Sequence, residues 1–293
     1  MSKIEDALKK VGGGKAPRNG AQPDGQLRQL TRVSQPGQPT TSLTQRANSR
    51  TEIARMVETS PISEEELARN KIIHSEMTDG RVLNAFRELR TKIVQKSLNG
   101  NGVIMVTGVS FGDGASFVAR NLAAAFALDE SKTALLLDCN FKNPQVAVSR
   151  TSDGQLGLTD YLESEEVPVD KIIHQAGINR FRMIPSGAHC EVPAEYFTSV
   201  RMGKLLTQLK QRYPERYVIL DTPPITESAD TTIVAAMCDH VLLVVPYGKV
   251  TQTQIEAAVK SIDKNKLLGV VFNNEPQYPP SGFWKSFWRR KPV

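Results

Sequence analysis

Six short aliphatic runs punctuate the chain, at 102–108 (GVIMVTG), 133–138 (TALLLD), 180–185 (RFRMIP), 217–222 (YVILDT), 240–246 (HVLLVVP) and 267–273 (LLGVVFN). They largely lack alternation of apolar with polar residues. A strand with one wet face must alternate, so these runs read as strands covered on both faces, the habit of parallel sheets. Segments suited to helices fall between them, near 115–128, 194–212, 228–238 and 251–264, with Pro193 as a first helical residue. The expected fold class is α/β: a three-layer domain with a mostly parallel sheet between helices. Ahead of it, Val82, Phe86, Leu89 and Ile93 recur at helical spacing, and Ser63-Glu-Glu-Glu66 reads as a capping box that opens a shorter helix.

The ends of the chain differ in composition from this middle. All 18 aromatic residues lie at or after Phe86, and 12–50 is dominated by Gly, Pro, Gln, Ser, Thr, Asn and Arg. Such a segment cannot bury enough apolar surface to offset its ordering entropy, so a long disordered N-terminal tail is expected. The expected organisation is a short amphipathic helix at 1–11 (Ile4, Ala7, Leu8 and Val11 on one stripe), a disordered linker at 12–62 and a helical lead-in at 63–98. The α/β domain follows at 99–276, and a basic aromatic tail at 277–293.

Charge and cysteine usage exclude several functions. The net charge is +6, yet the basic excess sits in the two ends, and 281–293 alone holds four basic residues and no acidic one. Nucleic-acid binding needs a basic face on the folded domain, so it is not expected. Cys139, Cys190 and Cys238 are widely spaced, with no C-x-x-C pair, which argues against a disulfide framework, zinc or an iron–sulfur cluster. No apolar run approaches the ~18–20 residues that span a bilayer, and no apolar segment of a secretory signal follows Met1. A cytoplasmic chain is expected.

Chemistry concentrates at Val106-Thr-Gly-Val-Ser-Phe-Gly-Asp-Gly-Ala-Ser116, where a strand, a Gly-rich turn and a helix start follow in that order. This is the setting of a phosphate loop: glycines let backbone N–H groups turn toward phosphate oxygens, and the helix N-terminus adds positive potential. Gly112, Asp113, Gly114, Ala115, Ser116 and Phe117 are the candidate nucleotide-binding residues of this turn. Ser116 sits where a P-loop hydroxyl holds Mg²⁺. The residue before it, normally a Lys that bridges the phosphates, is Ala115. Each lost hydrogen bond to a charged oxygen would be worth about 1.5–3 kcal/mol. Two strand-end carboxylates complete the pattern: Asp138 after TALLL, and Asp221 in Tyr217-Val-Ile-Leu-Asp-Thr-Pro-Pro224, where a P-loop protein holds water on Mg²⁺. The plainer alternative is a turn that only joins strand to helix, with the carboxylates serving as helix caps.

Together these residues resemble the bacterial tyrosine kinases of capsule and exopolysaccharide systems, in the deviant-Walker P-loop group. The resemblance covers about 80–275. It is carried by Ala85-Phe-Arg-Glu-Leu-Arg-Thr91, the loop, Gly157-Leu-Thr-Asp-Tyr-Leu162, Ile184-Pro-Ser-Gly187, Val192-Pro-Ala-Glu195, Asp221-Thr-Pro-Pro224 and Leu268-Gly-Val-Val-Phe-Asn273, in the family's order. It implies Ser116 and Asp221 as magnesium residues, and Asp138 and Asp221 as catalytic carboxylates if the chain is active. It further implies Asn273 as a base-recognition residue, with Arg87 and Arg90 as oligomer contacts.

The departures fall where chemistry would occur. Ala115 replaces the lysine, Asn140 the second carboxylate after the second strand, Lys142 an Arg, and Asn84 the Glu of an oligomer motif; Phe117 stands where a small hydroxyl residue is usual. Only Tyr278 remains of a Tyr-rich tail. These losses imply a kinase-like regulatory protein with impaired catalysis and weakened ATP or ADP and Mg²⁺ binding. Its implied partners are an integral-membrane chain-length or co-polymerase protein and an active kinase homologue or further copies of itself. The alternatives are an active protein-tyrosine autokinase, with Lys142 swinging in for the missing lysine, and a partitioning or positioning ATPase. Finally, Phe283, Trp284, Phe287 and Trp288 share a helical face beside Lys285, Arg289 and Arg290, which suits contact with the inner membrane surface or a membrane partner.

Overall fold

A seven-stranded sheet in the order β3-β4-β2-β5-β1-β6-β7 forms the centre of the molecule. The computed structural model describes residues 53, 56–77, 80–97, 101–142, 144, 155–188, 190 and 192–275. The helix expected at 1–11, most of the linker, Tyr278 and the aromatic tail lie outside the described residues. The strands are β1 (Val103–Gly108), β2 (Thr133–Asp138), β3 (His174–Gln175), β4 (Phe181–Ile184), β5 (Arg216–Asp221), β6 (His240–Pro246) and β7 (Leu267–Asn273). All pair in parallel except the two-residue edge strand β3, which is antiparallel to β4. β3 is too short to leave a periodic trace in the sequence.

Burial explains why the strands lack polar alternation. Along β1, Val103 and Met105 enter one core while Ile104 and Val106 enter the other, and β5 divides Val218 and Leu220 from Tyr217 and Ile219 in the same way. One core lies under α2 (Gly80–Lys96) and α3 (Ala115–Ala127), which follow α1 (Glu64–Arg69). There Phe126 stacks on Tyr217 with ring centroids 3.9 Å apart. The other lies under α4 (Leu158–Glu163), α5 (Val169–Ile172), α6 (Pro193–Phe197), α7 (Val200–Arg212), α8 (Ala229–Met237) and α9 (Gln252–Lys260). This is the three-layer arrangement that the runs imply.

Three local readings change. The helix expected over 194–212 is two helices, because the Ser199 hydroxyl accepts from the Met202 N–H at 3.1 Å and donates to the Tyr196 carbonyl at 2.6 Å, capping a fresh start. On α2 the fully buried positions are Leu83, Phe86 and Ile93, with Val82 and Leu89 at the stripe's margin.

The third correction concerns 56–62, read in the sequence as the end of the disordered linker. The Ile62 N–H donates to the Gly177 carbonyl at 3.0 Å, the Arg180 N–H to the Met56 carbonyl at 3.1 Å, and the Glu58 N–H to Asn179 Oδ1 at 2.8 Å. The Glu58 carboxylate, 6% exposed as a residue, meets Arg182 on β4 at 3.2 Å. The segment is pinned along the β3–β4 edge by partners more than a hundred residues away, which local composition does not encode. Glu58→Gln is expected to cost about 1 kcal/mol and to speed proteolytic cleavage within 56–62. Cleavage at the wild-type rate would show that the pair does not hold the segment.

Candidate nucleotide site

β1 passes through the turn 109–114 into α3, and the turn's shape depends on three side chains. Gly112 and Gly114 have φ of 83° and 85°, a region strained for other residues. At Gly114 space is closed as well, since a Cβ there would lie 2.1 Å from Asn273 Nδ2. The Asp113 carboxylate accepts the N–H groups of Val109 and Ser110, both at 2.5 Å, and the Ser110 hydroxyl at 2.7 Å. Asp113 therefore braces the turn from inside, and its carboxylate is engaged there. Asn273, at the end of β7, donates Nδ2 to the Asp113 carbonyl at 2.8 Å. The residue expected to read a base thus clamps the turn in this structure.

A second set of bonds joins the turn to the segment after β5. The Thr107 hydroxyl donates to the Pro223 carbonyl at 2.8 Å, the Ile225 N–H to the Gly108 carbonyl at 3.0 Å, and the Thr226 hydroxyl to the Val109 carbonyl. Asp221-Thr-Pro-Pro224 is thereby fixed against the phosphate loop.

The strand order sets the electrostatics. β5 lies between β2 and β1, with Asp221 in register with Asp138 on one side and Val106 on the other. Two carboxylates thus stand side by side at the carboxyl edge of the sheet, where open α/β proteins bind ligands. Asp138 is nearly buried and accepts the Asn140 N–H at 2.9 Å. Asp221 is fully buried, and neither of its oxygens makes a hydrogen bond. Burial first, and the Asp138 charge second, push its carboxyl up to about 8. The Ser116 hydroxyl and Arg120 pull the other way; Ser116 lies close enough to ease the charge without completing a hydrogen bond. A buried carboxylate with two unpartnered oxygens, beside a hydroxyl and a second carboxylate, is a set of hard oxygen donors that fits Mg²⁺. Ser116 and Asp221 would hold it, and bound Mg²⁺ would neutralise phosphate charge.

The other expected residues divide. Ala115 opens α3 and packs at the edge of the core, and Phe117 meets the Phe86 ring edge-on with centroids 5.8 Å apart, so this side chain is committed to packing. Lys142 is exposed. Arg90 donates to the Ala125 carbonyl at 3.0 Å and lies 3.8 Å from Asp129, tying α2 to α3 within the chain, whereas Arg87 is exposed. Among the described residues no cluster of metal-binding side chains and no helix long and apolar enough to cross a membrane is present.

Sequence reasoning missed Arg120. It lies one turn after Ser116 on the same face of α3 and is half-buried, and its buried Nε has no hydrogen-bond partner. Burial lowers its pKa, while Asp221 and then Asp138 raise it. The four-residue spacing from Ser116 is the signal that would have found it.

No family model matches the chain. The tyrosine-protein kinase CpsD of Streptococcus agalactiae is 29% identical over 211 residues, covering 71% of this chain and 90% of that protein. The tyrosine-protein kinase YwqD of Bacillus subtilis is 30% identical over 204 residues, covering 68% and 84% respectively. The kinase domain of the Escherichia coli tyrosine kinase ETK superposes with a TM-score of 0.63 at 24% identity, over 76% of this chain and 90% of that domain, which speaks for the fold. A P-loop edge with both carboxylates in place, on a chain that matches these kinases over most of their length, makes it a member of the bacterial tyrosine kinase family of capsule and exopolysaccharide systems.

Proposed function

We propose that this protein is a kinase-like regulator of capsule or exopolysaccharide biosynthesis and export, with a nucleotide site impaired for phosphoryl transfer. The observation that carries the reading is Ala115 at the first position of α3, beside an otherwise assembled cradle of Gly112, Gly114, Ser116, Asp138 and Asp221. A lysine there offsets charge as a phosphoryl group leaves, and neither Ala115 nor the Asn140 side chain supplies that charge or a second carboxylate. Binding tolerates such a loss better than catalysis does, because only catalysis needs stabilisation that grows toward the transition state.

In this reading the chain works at the cytoplasmic face of the membrane with an integral-membrane chain-length or co-polymerase partner. Phe283, Trp284, Phe287, Trp288, Arg289 and Arg290 supply the membrane or partner contact, and Arg87 is available for contact with other copies or an active kinase. A second reading, an active tyrosine autokinase, is favoured by the intact acidic pair and by the names of the relatives.

Calorimetric titration with ATP and ADP in Mg²⁺, followed by a phosphotyrosine assay, tests both. The expected result is weak binding that Asp221→Ala abolishes, without phosphotyrosine. Phosphotyrosine formation would establish the second reading. No binding at all would reduce the P-loop to a scaffold.

A further inference from the structure

Arg120 places a cation where this site has a use for one. On a helix, residues four apart share a face and side chains lean toward the N-terminus, so Arg120 reaches back toward Ser116. There it meets the field of Asp221 and Asp138, which stand in register on adjacent strands. Both oxygens of fully buried Asp221 and the buried Nε of Arg120 are left without hydrogen bonds. The groups interact through charge while their hydrogen-bonding capacity stays open.

We propose that Arg120 is the resident counter-cation of the Asp138–Asp221 pair and competes with a divalent metal for it. The inference rests on the reading of Ser116 and Asp221 as the metal site. A guanidinium near the acidic pair partly neutralises it and repels an arriving dication, and both effects weaken metal binding. With Ala115 the phosphate loop lacks its usual cation, while Arg120 sets a positive charge one turn after Ser116, within the field of the two carboxylates. The consequence is a site in which Mg²⁺ dependence is suppressed by the protein itself.

The test is titration of the full chain with Mn²⁺, followed by electron paramagnetic resonance. Arg120→Ala and Arg120→Gln are expected to bind Mn²⁺ at least about tenfold more tightly than wild type, equivalent to about 1.4 kcal/mol. Arg120→Lys is expected to resemble wild type, because charge rather than shape excludes the metal. Unchanged or weaker binding in both neutral variants would overturn the proposal, and so would a Lys variant as tight as Ala. Arg120→Gln retains length and hydrogen-bonding groups, which keeps the test valid should Arg120→Ala fold poorly. In the background of either neutral variant, adding Asp221→Asn is expected to abolish the tightened site. Tight binding that survives Asp221→Asn would instead place the metal elsewhere and refute the reading of Ser116 and Asp221, an outcome distinct from failure of the Arg120 inference.

Discussion

Asp221→Asn is expected to flatten the pH dependence of stability and to make the protein more stable than wild type near pH 8. The Asp221 carboxyl is pushed from its ordinary 3.8 to about 8 by burial and by Asp138. Between those values the folded chain keeps a proton that the unfolded chain has released, so stability is highest at the acid end and falls as pH rises through the window. At about 1.4 kcal/mol per pH unit the loss amounts to at most about 5 kcal/mol by pH 8. An Asn has no charge to desolvate, so the variant keeps its stability where wild type loses it. Urea unfolding of both proteins from about pH 5 to about pH 8 reads the difference. Parallel curves would mean that Asp221 is not held protonated by the fold. The same substitution removes a proposed magnesium ligand, so stability is expected to rise as binding is lost.

Ala115→Lys is the second large effect. The position opens α3 at the phosphate loop and is only partly buried, so a longer side chain can extend over the turn. A charge-assisted hydrogen bond worth about 1.5–3 kcal/mol corresponds to ATP binding about 10- to 100-fold tighter. Calorimetry measures it directly. Unchanged affinity would show that the turn does not receive phosphate, whereas tighter binding without phosphotyrosine would show that Ala115 alone does not account for the proposed impairment and would point to Asn140.

Much of the site was legible because its determinants are local. The spacing of Gly112 and Gly114 before a helix start, the absent lysine, and carboxylates at the ends of aliphatic runs are readable within a few residues. Sequence shows the side-chain type of Asp113 and not its direction; in the fold its carboxylate bonds back to Val109 and Ser110. Arg120 was missed because a basic residue inside a helix carries no motif, and its meaning depends on which strand ends it faces.

By itself the sequence determined the layers. Runs without polar alternation require cover on both faces, and glycine and proline mark where the chain turns, so an α/β sandwich follows from burial alone. Tertiary structure decided the rest. The order β3-β4-β2-β5-β1-β6-β7 brings Asp138 level with Asp221, and β7 brings Asn273 onto a turn 160 residues away. Such pairings depend on which strands become neighbours, a choice made by the packing of whole elements, and the period of a single run carries no record of it.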